Sequence, residues 1–386
     1  MKKLLILPGI CTALGGTLIT LSSFIKACQD FGLSPQVRVL VWSGSLMETY
    51  LQDVGQGEVL QAIAADSQPQ FLQRALQWVY QQPQQDPLLL DNCVDRRLLP
   101  ILWKASFRLR LSGRSVFHFF HDLALSYNPW GYLARKVTFA SLAPTALCNS
   151  HFTAEYIQRL TGQRPAVLYQ PVDPQQFNDL PPPASPPLNL QPILRSGVRL
   201  ILCPARIRNI YEPVINDKNQ QALISILVHL RAKGQTYHGV LIGQDLSANQ
   251  SYSQALLDAA AQAGVADCFS ILPPALAIEE YYKYADVVVA LSPREPFGRT
   301  VVEAIACGIP VIGSQTGGIG EILSQFAPDT WQVDPNDPGA AAAAIVEVAE
   351  NPDTSTILAK GKEWVKTHCS AAGYARTLLE ITGLCS

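Results

Sequence analysis

Short apolar runs alternate with longer stretches of helical periodicity along the whole chain. In the first half the runs fall at residues 3–7, 37–42, 88–91, 115–119, 146–148 and 166–169. In the second half they fall at 198–203, 239–242, 268–272, 286–291, 311–313 and 331–333. Most are predominantly apolar, and 287–291 is apolar and β-branched, the pattern of a strand buried in a parallel sheet. Strand and helix in alternation predict a doubly wound α/β fold, and 386 residues are long for one core, so two such domains are expected. Between them lies LPPPASPPLNLQP, residues 180–192, which cannot form helix or central strand and reads as a linker. The expected division is a first domain over 1–178, a Pro-rich linker over 179–197, a second domain over 198–366 and a terminal helix in 367–386.

The first apolar run needs separate treatment. Lys2-Lys3 followed by LLILPGICTALGGTLITLSSFI has the make-up of a signal peptide. Pro8-Gly9 and Gly15-Gly16 interrupt it, however, and the expectation is a strand, a Gly-rich loop and a helix from about Thr17. No uninterrupted apolar run is long enough to span a membrane.

Charge and cysteine content narrow the class. A formal net charge of −2 gives no global attraction to nucleic acid. The nine cysteines stand singly with no C-x-x-C pair, which points to a reducing, cytoplasmic setting and away from disulfides or a zinc site. One segment departs from this near-neutral background. Residues 96–114 carry Arg96, Arg97, Lys104, Arg108, Arg110 and Arg114 interleaved with Leu98, Trp103, Phe107 and Leu111, with no acid. Two readings are open: a helix with a solvated basic face, or a peripheral contact with an anionic membrane.

The most informative stretch is SPREPFGRTVVEAIACGIPVIGSQTGG, residues 292–318. Pro293 and Pro296 end the preceding strand and hold a loop. Gly298 allows close backbone approach to a ligand, and a helix over 299–307 begins there. Its free N–H groups would face an anion. Glu303 lies one turn in, and an ionised carboxylate accepts two hydrogen bonds, which suits the vicinal hydroxyls of a ribose. Glu295, on the loop, can reach the hydroxyls of a second sugar. Gly308 occupies the left-handed position after the helix, and Pro310 blocks continuation.

Glu295 and Glu303 with Phe297-Gly298, Glu303-Ala304, Ala306-Cys307-Gly308, Pro310-Val311, Gly317-Gly318 and Glu321 resemble the E-x7-E signature of the large family of retaining GT-B glycosyltransferases, glycosyl transferases group 1, which includes sucrose synthases and bacterial lipid mannosyltransferases. The resemblance implies a GT-B architecture, α/β, with two Rossmann-like doubly wound domains facing a central cleft and the last helix crossing back to the first domain. It implies transfer of a sugar from a nucleotide-sugar to an acceptor hydroxyl with retention of configuration, the acceptor being a sugar, a glycan or a lipid-linked glycan. It assigns Phe297, Gly298, Arg299 and Glu303 to donor binding and Glu295 to positioning the donor sugar. Gly15 and Gly16 match the loop beside the donor diphosphate, and His121, followed by Asp122, matches a histidine facing the donor sugar. Arg206 and Lys218 match the cations that hold the diphosphate, although the segment between them is longer than usual and Arg208 rivals Arg206. Asn149 to Thr153 resembles a loop whose hydroxyls read as a helix cap. Tyr169-Gln170-Pro171-Val172-Asp173 matches a domain-ending element at Val172 and Asp173, while Gln170-Pro171 departs from its usual Asn-Gly. No D-x-D motif is present, so neither a metal nor another cofactor is expected; cationic side chains and helix N-termini would carry the leaving charge. Acceptor contacts are expected in first-domain loops, about residues 44–113. An epimerase of the same fold and a non-catalytic sugar-nucleotide-binding subunit are the alternatives, and nucleic acid is not an expected partner.

Overall fold

The structure is a computed structural model that describes residues 2–13, 15–126, 128–207, 218–275 and 277–385. The chain forms two compact units. One comprises Met1–Pro171 with Cys369–Ser386, the other Val172–His368.

The first unit is built on seven parallel strands: β1 (Leu4–Pro8), β2 (Val37–Trp42), β3 (Leu60–Ile63), β4 (Leu88–Asp91), β5 (Val116–Phe120), β6 (Thr145–Cys148) and β7 (Ala166–Val167), in the order β3-β2-β1-β4-β5-β6-β7. Its reversal point lies between β1 and β4, which pair from Leu5↔Leu88 to Pro8↔Asp91. Leu4 to Leu7 and Leu88 to Leu90 are buried, as an uninterrupted apolar run on a two-faced sheet requires. β3 has no counterpart among the expected strands. It is an edge strand of mixed polarity, LQAI, with one hydrogen-bonded neighbour and no second face to bury, so it carries no apolar run. The Ala371–Ile381 helix packs on the Gly16–Asp30 helix of the same unit. There Tyr374 meets Phe24 at 6.4 Å and Phe119 at 6.1 Å, and Ala375, Leu378 and Leu379 are buried.

The second unit holds β8 (Arg199–Pro204), β9 (Tyr237–Ile242), β10 (Phe269–Leu272), β11 (Val287–Ala290), β12 (Val311–Ser314) and β13 (Gln332–Val333), parallel and ordered β10-β9-β8-β11-β12-β13. Here the reversal point lies between β8 and β11. The Pro-rich run lies within this unit. Leu190 is fully buried, Tyr281 donates to Asn189 at 2.8 Å, and the Tyr284 hydroxyl bonds the Pro183 carbonyl. Proline excludes the segment from ladders and helix interiors, but its carbonyls and apolar flanks still pack. The unit also begins before residue 178: Phe177 is buried against Tyr282, and Lys283 bonds Asn178 at 2.9 Å.

No helix among the described residues is long and apolar enough to cross a membrane. No disulfide forms among the described residues, and burial pushes the Cys11, Cys28, Cys203 and Cys307 thiols up to about 12, which keeps them protonated.

Candidate functional site

Ligands of doubly wound sheets sit beyond the carboxyl ends of the strands, at the reversal point. In the second unit that point is framed by the loop after β8, which carries Arg206, and the loop after β11, which carries Glu295. The loop after β8 is tied down: Ala205 N–H donates to Ile242 at 3.0 Å, and Gln220 donates to the Arg206 carbonyl at 2.7 Å. The Arg206 side chain is exposed. Lys218 and Glu295 form an ion pair in which each side chain is 19% exposed. Arg208 and residues 209–217 lie outside the described residues.

Gly298 caps the Arg299–Ala306 helix with φ at +104°, and a Cβ there would lie 3.2 Å from the Ile319 side chain. The glycine is therefore required by its own backbone angle and by Ile319, whatever approaches from outside. Gly308 sits at φ +76° past the helix end. The two glutamates have different surroundings. Glu303 is buried; it accepts from Arg299 Nε at 2.8 Å on one oxygen and from the Tyr282 hydroxyl at 3.1 Å on the other. Burial raises its pKa above the usual carboxylate value, and Arg299 beside it opposes that shift. Each oxygen keeps acceptor capacity beyond these bonds. Phe297 is 2% exposed, so only its main chain is available to a ligand.

The Glu295 loop is fastened to the next one. Gly318 N–H donates to the Glu295 carbonyl at 2.7 Å, and a Cβ on Gly318 would lie 2.4 Å from the Phe297 carbonyl oxygen. Gly317 stands at φ +75° against the same loop. The Gly-Gly pair thus fixes the position of Glu295.

In the first unit, Gly9 follows β1 and Asn92 follows β4. These loops nearly touch: a Cβ on Gly9 would lie 2.3 Å from the Asn92 carbonyl. Gly15 caps the Gly16–Asp30 helix with extended backbone and open space around it, so no internal packing demands glycine there. His121 follows β5 with its side chain 6% exposed. Its Nε2 lies 2.7 Å from Asp91 Oδ1, its Nδ1 2.9 Å from Gln170 Nε2, and its ring stacks on Phe119. With Gln170 donating to Nδ1, the proton sits on Nε2 and is given to Asp91. Asn92, at φ +56°, accepts from the His121 N–H at 3.2 Å and donates to Asp122 at 3.3 Å. His118 occupies the opposite face of β5, fully buried against Phe120 and Phe139, and burial holds its pKa down to about 3. Ser150 caps the His151–Thr161 helix by accepting from Thr153 N–H at 2.9 Å.

Sequence reasoning did not single out Asp91, Asn92 and Tyr282. The signal for Asp91 is present, a carboxylate closing the apolar strand LLLD. Gln170, which breaks the expected Asn-Gly, is the residue that holds the His121 ring.

The basic segment divides. The Leu99–Leu111 helix buries Leu99, Leu102, Ala105 and Leu109 and exposes Trp103, Phe107 and Leu111, the last two 72% exposed. Arg114 is not part of any basic surface: it is buried and donates to the carbonyls of Val79, Gln82 and Asp86. Arg108 lies over the Tyr80 ring at 4.0 Å. Among the described residues no cluster of three or more His, Cys, Asp or Glu could hold a metal ion.

Comparison with known proteins adds to this geometry. Residues 211–363 match the model of the family described as Glycosyl transferases group 1. Among curated proteins, the D-inositol 3-phosphate glycosyltransferase of Thermobispora bispora is 27% identical over 186 residues, 48% of this chain and 42% of the relative. That of Nocardiopsis dassonvillei is 29% identical over 191 residues, 49% of this chain and 43% of the relative. The chain thus spans less than half the length of these curated relatives. Among solved structures, Anabaena Alr3699/HepE in complex with UDP and glucose matches with a TM-score of 0.80 at 18% identity, covering 100% of both chains. Sucrose-phosphate synthase of Thermosynechococcus elongatus matches with a TM-score of 0.69 at 16% identity over 98% of each. Residues 211–363 thus resemble a Glycosyl transferases group 1 domain, and the two Rossmann-like units have the GT-B fold.

Proposed function

We propose that the protein is a retaining, metal-independent glycosyltransferase of the hexosyltransferase type, which moves a sugar from a nucleotide-sugar to an acceptor hydroxyl. The observation that carries this reading is the arrangement at the β8/β11 reversal point, where Lys218 pairs with Glu295 and Glu303 is held by Arg299 and Tyr282. In the proposed reaction the bond between the anomeric carbon and the diphosphate breaks, and the acceptor oxygen bonds the same carbon from the same face. The acceptor proton passes to the departing phosphate oxygen. That oxygen gains negative charge, and Arg206, Lys218 and the N–H groups opening the Arg299–Ala306 helix offset it. Charge-assisted hydrogen bonds of this kind contribute about 1.5–3 kcal/mol each. Lys218 turns to the diphosphate when the donor binds, which frees Glu295 to accept from the sugar hydroxyls. Glu303 takes the ribose hydroxyls with its remaining acceptor capacity. His121 serves the sugar by exchanging one ring partner. Gln170 is the one displaced, because a neutral hydrogen bond yields before a charge-assisted one.

The Anabaena neighbours were solved with UDP, with UDP and glucose, and with UDP-glucose, so uridine nucleotides are tested first. Incubation with UDP-hexoses and candidate acceptors, with and without EDTA, is expected to release UDP and give an α-linked product from an α-linked donor in both cases. Nucleotide binding without turnover would favour the binding-subunit alternative. Conversion of the donor to an epimer would favour the other enzyme.

A peripheral membrane contact is a second part of the reading, favoured by one observation. Trp103, Phe107 and Leu111 are exposed on one helix, and Trp130, Leu133 and Val137 on the Pro129–Leu142 helix packed against it, with Lys104, Arg110 and Lys136 on the same two helices. Sedimentation with anionic liposomes is expected at low salt. Its absence at every salt concentration would remove the proposal.

A further inference from the structure

Three tyrosines of the second unit, close together in sequence, bond three different acceptors. Tyr281 donates to Asn189 at 2.8 Å and the Tyr284 hydroxyl bonds the Pro183 carbonyl, so both fasten the Pro-rich run. Tyr282 donates instead to Glu303 Oε2 at 3.1 Å. Its side chain is fully buried, with the ring edge-on to Phe177 at 6.1 Å. The Glu303 side chain keeps 10% of its surface exposed. A ligand can therefore touch Glu303 but not Tyr282, and whatever the tyrosine does for a ligand it does through the carboxylate.

That carboxylate is held at two points by two elements. Arg299 lies one turn earlier on the same helix and donates Nε to Oε1 at 2.8 Å. Tyr282 ends the Ile278–Tyr282 helix, before β11, and takes Oε2. The last torsion of a glutamate side chain is broad, so one donor leaves the carboxylate plane free to turn. Two donors, one on each oxygen and each anchored in a different element, fix it. An acceptor for two vicinal hydroxyls needs that plane fixed, because both oxygens must reach their partners together. The tyrosine stays a donor: burial, with Glu303 beside it, pushes its pKa well above the ordinary value. Glu303 is pulled in both directions. Burial raises its pKa, Arg299 and the Tyr282 hydroxyl lower it, and Glu279, which accepts from Gln176 at 2.9 Å, raises it.

We propose that Tyr282 is a positioning residue for nucleotide specificity: its hydroxyl sets the Glu303 carboxylate to accept from the ribose diol, and so separates ribonucleotides from nucleotides lacking that diol. This rests on the reading of Glu303 as the ribose acceptor, and binding alone measures it.

The test is calorimetric titration of the full chain with UDP and with 2′,3′-dideoxyuridine diphosphate, in wild type, Tyr282→Phe and Tyr281→Phe. Tyr282→Phe keeps the ring against Phe177 and removes only the hydroxyl. Its UDP affinity is expected to fall about tenfold, the equivalent of one hydrogen bond to a charged group, while its affinity for the dideoxy nucleotide stays within about twofold of wild type. Tyr281→Phe loses a hydroxyl bond to Asn189 instead and is expected to keep the wild-type ratio of the two affinities. Without the Tyr282 hydroxyl, burial raises the Glu303 pKa further, so on acidification the preference for UDP is expected to vanish at a higher pH in Tyr282→Phe than in wild type. Titration of the phosphates is common to both nucleotides and cancels in the ratio. A Tyr282→Phe ratio equal to that of wild type overturns the inference, whether neither affinity changes or both fall alike as for a merely structural tyrosine. Wild type that binds the two nucleotides equally, or binds neither, overturns it as well. The glycosyltransferase reading fails separately: UDP binding with the expected ratios but no turnover of any UDP-hexose overturns that reading and leaves this inference standing.

Discussion

Lys218 and Glu295 stand 77 residues apart in sequence and meet as an ion pair, each side chain 19% exposed. Lys218 precedes the Gln221–Ala232 helix and Glu295 follows β11, so parallel strand order alone brings them to one end of the sheet. In the proposed reaction the lysine serves the diphosphate and the glutamate the sugar, and each holds the other until the donor arrives.

Substitution separates these duties. Lys218→Ala is expected to weaken UDP binding by about tenfold to a hundredfold, the equivalent of one charge-assisted hydrogen bond. Glu295→Ala is expected to keep UDP affinity within a few-fold and to lose transfer. Glu303→Ala removes the ribose acceptor and leaves Arg299 without its carboxylate, so nucleotide affinity falls. Calorimetry with UDP and turnover of a UDP-hexose measure both, and wild-type turnover in Glu295→Ala and Glu303→Ala together would overturn the assignment.

Two glycines make a contrasting pair. A Cβ on Gly318 meets the Phe297 carbonyl at 2.4 Å, whereas one on Gly15 meets nothing within 4 Å. Gly318→Ala is expected to cost about 1–3 kcal/mol of stability by forced displacement and to shift the Glu295 loop. Gly15→Ala meets no steric block but costs up to about 1 kcal/mol, because alanine is a poorer helix N-cap than glycine, and it weakens donor binding where this loop approaches the diphosphate. Chemical denaturation and UDP titration of the two variants test the pair.

Central strands and the site loop were legible because each imposes a local pattern. Buried parallel strands are mostly apolar, and despite Arg38 and Asp91 residues 37–42 and 88–91 mark Val37–Trp42 and Leu88–Asp91 without shift. Gly308 and Pro310 mark where the Arg299–Ala306 helix stops. What stayed hidden depends on partners distant in sequence. Tyr282 is an ordinary tyrosine until the fold sets its hydroxyl on Glu303, and Gln170 reads as a mismatch until it bonds His121. Arg114 looked like surface charge because charge is counted along the chain, while its partners Val79, Gln82 and Asp86 are supplied by main-chain carbonyls that no residue type announces. The packing of the Pro-rich run was hidden for a related reason: composition forbids regular structure but does not say whether a segment packs.

The return of the chain to its first unit yields a stability prediction. Tyr374, on the last helix, is buried between Phe24 and Phe119. Truncation of a buried aromatic side chain costs about 3–5 kcal/mol, so Tyr374→Ala is expected to unfold the first unit at markedly lower denaturant concentration. Tyr374 belongs to the first unit, and UDP binding in the second is expected to survive at low denaturant. A cooperative loss of both together would contradict the division at Cys369.

His118 supplies a pH dependence with a definite sign. The ring is fully buried against Phe120 and Phe139, and burial holds its pKa near 3 against an ordinary 6.5. The unfolded chain therefore takes up a proton near pH 6.5 that the folded chain refuses. Stability from this group is complete above pH 6.5 and is lost as pH falls toward 3, by up to about 1.4 kcal/mol per pH unit. His118→Leu keeps an apolar side chain of similar size and removes the proton site. The variant is expected to match or trail the wild type at pH 7.5 and to overtake it progressively between pH 6 and pH 4.5. The difference between the two proteins isolates this residue, because every other titrating group is common to both. Urea denaturation at four pH values measures it, and a constant gap across that range would show that His118 is protonated in the folded state or screened from it.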